Sequence, residues 1–390
     1  MKLGRPRRSL SFFLAVAIIF LPGVAVSTAL AANYLGYCVN AILPGGSDLN
    51  ARPFLVQVDS DSATLRLRST IAREAVLTLT PEGQDPITAT TPADKIQTFD
   101  LPDLTPGTTY RYLVERADRI WEGSFRTPAG ADDTVRFGVV GSTGVGGDPL
   151  HAIVDEIVDD QPDFVLHTGD VVFPRGGLCH YGVRYFGPYE DLIGNVPVTA
   201  AVGEIDLKSN NGQAFRETFL IEGDPDQEAP LYRSFEYGPV HVIVLDSQLY
   251  EDDNQSAVDQ QRAWLTDELG SSELPWTVVV LHDPPYSSTG GAQNDGIQED
   301  LGPIFAEHGV DLVLSGHARN YERFEPDGGV TYVVTGGGGA GLQDIGDNRT
   351  SVAASVVHHF LSVEASPGEL TVRVMDDAGG TIDMFTLSRD

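Results

Sequence analysis

The chain has 390 residues, 41% hydrophobic and 21% charged, which supplies a real core and excludes both a disordered chain and a disulfide-built miniprotein. Its 25 Lys and Arg against 56 Asp and Glu leave a net charge of −31; such a surface repels nucleic-acid backbones, so no nucleic-acid partner is expected. Lys2, Lys95 and Lys208 are the only lysines, and so acidic a surface suits a medium salty enough to screen its self-repulsion.

Residues 1–31 read as an export signal. Met1 to Arg8 carries four positive charges and no acid, Ser9 to Val26 is nearly all apolar, and Ala29-Leu30-Ala31 offers a small-x-small cleavage pattern. Arg7-Arg8-Ser9-Leu10 fits a twin-arginine signal and the apolar stretch fits the general route equally well, so both routes stay open. Removal of this segment leaves −35, and nothing later is long and apolar enough to span a bilayer. The destination expected is secreted, periplasmic or cell-surface. Residues 32–50 form an N-terminal linker. Cys38 and Cys179 are the only cysteines, and an oxidising compartment allows them one intramolecular pairing.

Across residues 51–130, short alternating strands are predicted at Phe54–Val58, Ala63–Leu67 and Ala75–Leu79, separated by Pro, Gly and Asp, a small all-β module. From residue 134 to 390, apolar strands alternate with helical stretches. Strands are predicted at Val135–Val140, Phe164–Thr168, Val196–Val202, Val240–Leu245, Trp276–Leu281, Val310–Ser315 and Thr331–Thr335, and helices at Asp148–Asp159, Ala257–Gly270 and Asp295–His308. This is an α/β pattern. Five strands run into loops that pair a small residue with a polar one, or His with Asp: Gly141-Ser142, Gly169-Asp170, Gly203-Glu204, His282-Asp283 and Gly316-His317. Ligands of open α/β sheets bind where loops leave the carboxyl ends of strands. His358-His359 is expected to pack at the start of a strand, and Gly336–Gly339 to make a tight turn flooring the cleft.

Gly169-Asp170, His282 followed by Pro284-Pro285-Tyr286, and Gly316-His317-Ala318-Arg319-Asn320-Tyr321-Glu322-Arg323 together resemble the calcineurin-like metallophosphoesterases, and among them the purple acid phosphatases. Leu101 to Tyr112 resembles the tyrosine-corner segment of fibronectin type III modules, and Trp121 with Phe125-Arg126-Thr127-Pro128 their last strand. The resemblance implies a four-layer sandwich of two mixed sheets flanked by helices, preceded by a small fibronectin type III-like β-sandwich. It also implies two metal ions at the strand ends.

Carried over position by position, the first ion's ligands fall on Ser142, Asp170, Phe173 and Arg319, where the family has Asp, the bridging Asp, Tyr and His. Three of the four are lost: Phe has no donor atom, and Arg319 brings a fixed positive charge. The second ion's ligands fall on Asp170, Glu204, His282 and His317, and all of these can donate. One divalent transition metal (Zn, Mn or Fe) is therefore expected, and no second one. The family's His that helps protonate the leaving group is Ile205 here. Asp206 and His180 are the candidates to replace it. Arg319 has two readings. In one its guanidinium takes the electrostatic role of the absent ion and grips a phosphate; in the other a salt bridge Arg319–Asp170–Glu204 fills the old site. The function expected is slow or specialised hydrolysis of a small phosphate ester. The alternative is an inactive pseudo-phosphatase that binds phosphate, a glycan or a protein partner, and a third reading is a purely architectural exported protein.

Overall fold

The structure is a computed structural model of the chain and describes residues 52–220, 230–251, 254–325, 328–346 and 350–389. The export signal, the linker and Cys38, and with Cys38 any pairing to Cys179, lie outside the described residues. The N-terminal module contains β1 (Phe54–Val58), β2 (Ala63–Pro81), β3 (Ile87–Leu101), β4 (Thr109–Arg116) and β5 (Arg119–Arg126). The two strands expected at 63–67 and 75–79 are one strand of 19 residues. Arg68 to Glu74 contains no Gly or Pro to end it, and β2 continues through two irregularities in its register with β3. Arg116, 1% exposed, fastens that stretch by donating to Ser69 Oγ at 2.7 Å and to the Ile71 carbonyl. β2 pairs with β1 at its start and with β4 at its end, so the five strands form one continuous sheet. Tyr110 Oη accepts the Thr105 N–H at 2.7 Å.

The rest of the chain builds two sheets. A six-stranded one contains β6 (Val135–Val140), β7 (Phe164–His167), β8 (Val198–Ala200), β16 (His359–Ala365), β17 (Glu369–Asp376) and β18 (Thr381–Ser388), in the order β18-β17-β16-β6-β7-β8. A seven-stranded one runs β15 (Ala353–Ser355), β13 (Tyr321–Phe324), β14 (Thr331–Thr335), β12 (Leu312–Ser315), β11 (Trp276–Val280), β10 (Val240–Val244), β9 (Arg233–Tyr237). β6, β7 and β8 are mutually parallel, as are β10, β11, β12 and β14. The longer helices are α1 (Asp148–Asp160), α5 (Gln255–Leu269) and α6 (Asp295–Glu307), with α2 (Leu178–Tyr181), α3 (Glu204–Leu207) and α4 (Gln213–Phe219) in the loops after β7 and β8.

Alternation along the strands sorts side chains into layers. Phe137 and Val139 of β6 and Leu166 of β7 share a core with Val242, Val244, Val278 and Val280 of the other sheet. Val140 and Val165 point the other way, onto Leu150, Ile153, Val154 and Ile157 of α1. Those four recur at the i, i+3, i+4, i+7 spacing that puts them on one helix face, and α1 has Pro149 in its first turn, where a missing N–H costs nothing. Ile243, Val279 and Val313 face Leu265 of α5 and Ile297 and Leu301 of α6. The stack is helix, sheet, sheet, helix, a mixed α/β fold with the parallel strands of both sheets ending at one edge.

The β-module is joined to this body by directed bonds. Tyr112 Oη donates to the Gly194 carbonyl at 2.6 Å, and Arg66 Nη1 donates to the Glu217 and Leu220 carbonyls, each at 2.9 Å, satisfying acceptors at the end of α4.

His359 is fully buried at the start of β16, with Nδ1 3.0 Å from the Val357 carbonyl and Nε2 3.1 Å from Thr335 Oγ1. Burial holds its imidazole down at about 4. The unfolded chain, whose histidines titrate near ~6.5, binds that proton more readily, so stability is complete above about pH 6.5 and is lost as pH falls toward about 4. At pH 5 the expected cost is about 2 kcal/mol from this residue alone. Urea denaturation of His359→Gln between pH 7 and 4.5 should show a pH slope shallower by that amount.

Candidate functional site

Five loops leave the common edge, and three of their polar residues are held in the left-handed backbone region: Ser142 at φ 52°, Asp170 at φ 55° and His317 at φ 60°. Each costs roughly 1–2 kcal/mol in a non-glycine residue, strain that the tightly packed strand ends hold in place. Close approach is secured by glycine. A Cβ on Gly169 would lie 2.6 Å from His282 Nδ1, and one on Gly316 would lie 2.6 Å from the Thr168 carbonyl.

His282 therefore sits against the backbone of the opposite sheet. Its Nδ1 is 2.7 Å from the Thr168 carbonyl, a bond that only Nδ1–H can make, so in the neutral ring the lone pair is on Nε2. Nε2 is buried, has no hydrogen-bond partner among the described residues, and stands 3.6 Å from Asp170 Oδ1. Burial lowers this imidazole's pKa, but Asp170, Asp283, the Thr168 carbonyl and Asp206 act against it, and the net direction is upward. Asp170 is 7% exposed, and its Oδ1 also accepts the Ile205 N–H at 3.0 Å.

The His317 ring stands perpendicular to that of His282, at 86° and 5.3 Å between centroids, with Nδ1 3.5 Å from Asp283 Oδ1. Burial, and then the charge of His282, hold its imidazole below the ordinary value. His282, Asp283 and His317 each offer a donor atom, and the three lie within 4.8 Å of one another. A buried imidazole nitrogen without a described partner, a second imidazole and the Asp283 carboxylate suit a divalent transition metal, with Asp170 next to His282 but outside that cluster of three. Asp283 stood in the sequence as the neighbour of His282 at a polar strand end and not among the candidate ligands. Its Oδ2 accepts from Ser247 Oγ at 2.6 Å and Gln248 Nε2 at 2.5 Å, support that exists only in the fold.

The other candidates are placed differently. Glu204 is exposed, its carboxylate bonded to Lys208 one helical turn on, though its charge still acts on His317. Arg319 makes no ion pair with a described carboxylate, so the salt bridge Arg319–Asp170–Glu204 is not formed. Its backbone is instead clamped to Gln343, N–H to Oε1 at 3.0 Å and carbonyl to N–H at 2.9 Å, and its Nε is buried with no partner. Ser142 Oγ is likewise buried and unpartnered. Phe173 lies against Gly144, and Ile205 contributes its backbone N–H alone. His180, on α2, is half-buried, its imidazole lowered by burial and by Arg184.

Two buried groups fasten the Asp170 loop. Asp206 is fully buried and accepts the N–H of Val171 at 3.1 Å and of Gly203 at 3.1 Å, tying the loop after β7 to the loop after β8. Burial and then the Asp170 charge push its carboxyl above the ordinary range. His167 accepts the Gly169 N–H on Nδ1 at 3.1 Å and meets Thr143 Oγ1 through Nε2 at 2.9 Å; burial holds it neutral, at about 3. Asp206→Ala strands two buried N–H groups, each worth about 1–3 kcal/mol. Chemical denaturation should report a loss of about 2–4 kcal/mol, with Asp206→Asn losing less.

Residues 135–321 match the family model described as calcineurin-like phosphoesterase. A phosphoenolpyruvate phosphatase of Allium cepa is 26% identical over 255 residues, 61% of this chain and 52% of that protein. A protein named probable inactive purple acid phosphatase 1, from Arabidopsis thaliana, is 24% identical over 359 residues, 76% of this chain and 58% of that one. The chain thus spans about half the length of the curated relatives it matches. In fold it is similar to a purple acid phosphatase from yellow lupin (Lupinus luteus) seeds, with a TM-score of 0.75 at 19% identity over 88% of this chain and 75% of that one. Residues 135–321 thus form a calcineurin-like phosphoesterase domain, a little under half of the chain.

Proposed function

We propose that the chain is an exported phosphoric ester hydrolase working with one divalent transition metal ion. Export rests on the pattern of residues 1–31. The observation that carries the reading is the buried, unpartnered Nε2 of His282, 3.6 Å from Asp170 Oδ1, beside the perpendicular imidazole of His317. Asp170, His282 and His317 would hold Zn, Mn or Fe(II), with Glu204 at the rim as a fourth donor once it leaves Lys208. The chemistry such an ion supplies is Lewis acidity toward a phosphoryl oxygen and a lower pKa for water.

The chain's own residues do the rest. The Thr168 carbonyl fixes the tautomer of His282 and keeps its lone pair on the cleft side of the ring. Arg319, with its backbone clamped and its guanidinium unpaired by any described carboxylate, offers bidentate contacts to the phosphoryl oxygens of a small phosphate ester. Protonation of the leaving group is the weak step. Asp206 is spent on two backbone N–H groups, and His180 is kept neutral near pH 7. Without a well-placed acid, a factor of roughly 10²–10⁴ is lost, so turnover is slow.

A second reading, a non-catalytic binder of phosphate, a glycan or a protein partner, draws on Ser142, Phe173 and Arg319 at the first ion's positions and on the relative named as probably inactive. Metal analysis with aryl phosphate kinetics separates the two. Hydrolysis with about one equivalent of metal, both lost in His282→Ala, supports the hydrolase, whereas metal content below about a tenth of an equivalent ends it. Arg319→Ala should raise KM by about 10-fold or more, the worth of a charge-assisted bond to phosphate. Phosphate binding with no turnover would favour the second reading.

A further inference from the structure

Asp283 is 5% exposed, and among the described residues no Lys or Arg nitrogen lies within 4.0 Å of it. Taking a carboxylate out of water is costly unless its oxygens are satisfied. Here one oxygen is satisfied and the other is not. Oδ2 accepts Ser247 Oγ at 2.6 Å and Gln248 Nε2 at 2.5 Å, and the Asp283 N–H is returned to Ser247 Oγ at 3.0 Å. Oδ1 accepts no hydrogen bond from a described residue, and its neighbour is His317 Nδ1 at 3.5 Å. The side chain is thereby fixed from behind with its free oxygen turned to the imidazoles. Two donors of one ion, each at about 2.0–2.2 Å, stand at most about 4.4 Å apart; the 4.8 Å limit that encloses the donors of His282, Asp283 and His317 is a few tenths of an ångström from that span.

We infer that Asp283 is a ligand of the divalent ion, an oxygen donor in addition to Asp170 and the two imidazoles. This rests on the one-ion reading above and refines its ligand set. With Asp170 and Asp283 as carboxylates and both imidazoles neutral, the cradle carries the two negative charges that balance a divalent cation. Asp283 thereby takes the place that Glu204 fills only by leaving Lys208.

The test is metal affinity, measured by chelator competition with Zn(II) and by the visible spectrum of the Co(II)-loaded protein. Asp283→Asn should weaken Zn(II) binding by more than the roughly 10–100-fold typical of losing a partner that only orients a ligand. Because the Asn variant disturbs the bonds to Ser247 and Gln248, thermal melting of the metal-free proteins serves as the control for folding. Asp283→His, which exchanges an oxygen donor for a nitrogen one, should bind one Co(II) with shifted visible bands. Wild-type affinity and an unchanged spectrum in both Asp283 variants, with the wild type holding one ion, overturn this inference alone. A wild-type protein that takes up no ion overturns the reading beneath it as well.

Discussion

The site depends on one hydrogen bond, from His282 Nδ1 to the Thr168 carbonyl. It crosses from the loop after β11 in the seven-stranded sheet to the loop after β7 in the six-stranded one, so it registers the two sheets where their parallel strands end. It also decides chemistry: in the neutral ring, with the proton on Nδ1, the Nε2 lone pair finds no hydrogen-bond partner among the described residues and stands by Asp170. His359 and His167 are satisfied at both nitrogens, whereas His241 and His282 each have one nitrogen bonded and the other buried with no partner among the described residues. His282 differs from His241 in that its open nitrogen stands beside Asp170 and near a second imidazole.

The backbone around this bond is shaped to allow it. Gly169 and Gly316 let the imidazole lie on the chain at distances no Cβ would permit, and Asp170 and His317 sit in left-handed conformations that turn their side chains to the same edge. Asp206 restrains the strained turn from beneath by gathering N–H groups from two loops into one buried carboxylate. Proton uptake on Asp206 would weaken the acceptor strength on which that tie relies, so the order of the Asp170 loop is linked electrostatically to its own charge. Strain at the functional edge is thus balanced by burial and hydrogen bonding a few ångströms below it.

Much of the architecture was legible because its signals are local. The apolar runs at 135–140, 240–245 and 276–281 fall on β6, β10 and β11 to within a residue, and the periodic stretches at 148–159 and 295–308 on α1 and α6. The joining of the 63–67 and 75–79 strands was not legible, because it depends on Arg116 reaching back from β4 to pin Ser69 and Ile71. Nor was the insertion of β16 between β6 and β17, a pairing between segments far apart in sequence. At the site, Asp170, His282 and His317 carried motif signals. Asp283 did not: its burial and its bonds to Ser247 and Gln248 require the end of β10 to lie beside the end of β11, which no local pattern states.

The two halves of the cradle differ in what fills them. On the side of His282 and His317, donors face one another with unspent valence. Around Phe173, the protein has closed over itself. The Phe173 ring lies so near Gly144 that a Cβ there would stand 2.1 Å from it, and the Phe173 N–H is donated to the Gly144 carbonyl at 2.8 Å. Arg184 Nη1 then donates to the Phe173 carbonyl at 2.6 Å and to that of Gly144 at 3.4 Å, placing a cation across the loop pair. A guanidinium bridging carbonyls and an aromatic ring packed on glycine form a stable arrangement that needs no ion, and a second cation brought nearby would meet Coulomb repulsion as well as a lack of donors. Reinstating a Tyr ligand at Phe173 would therefore have to displace packing already satisfied, whereas Ser142 Oγ and His282 Nε2 are both buried with no partner among the described residues.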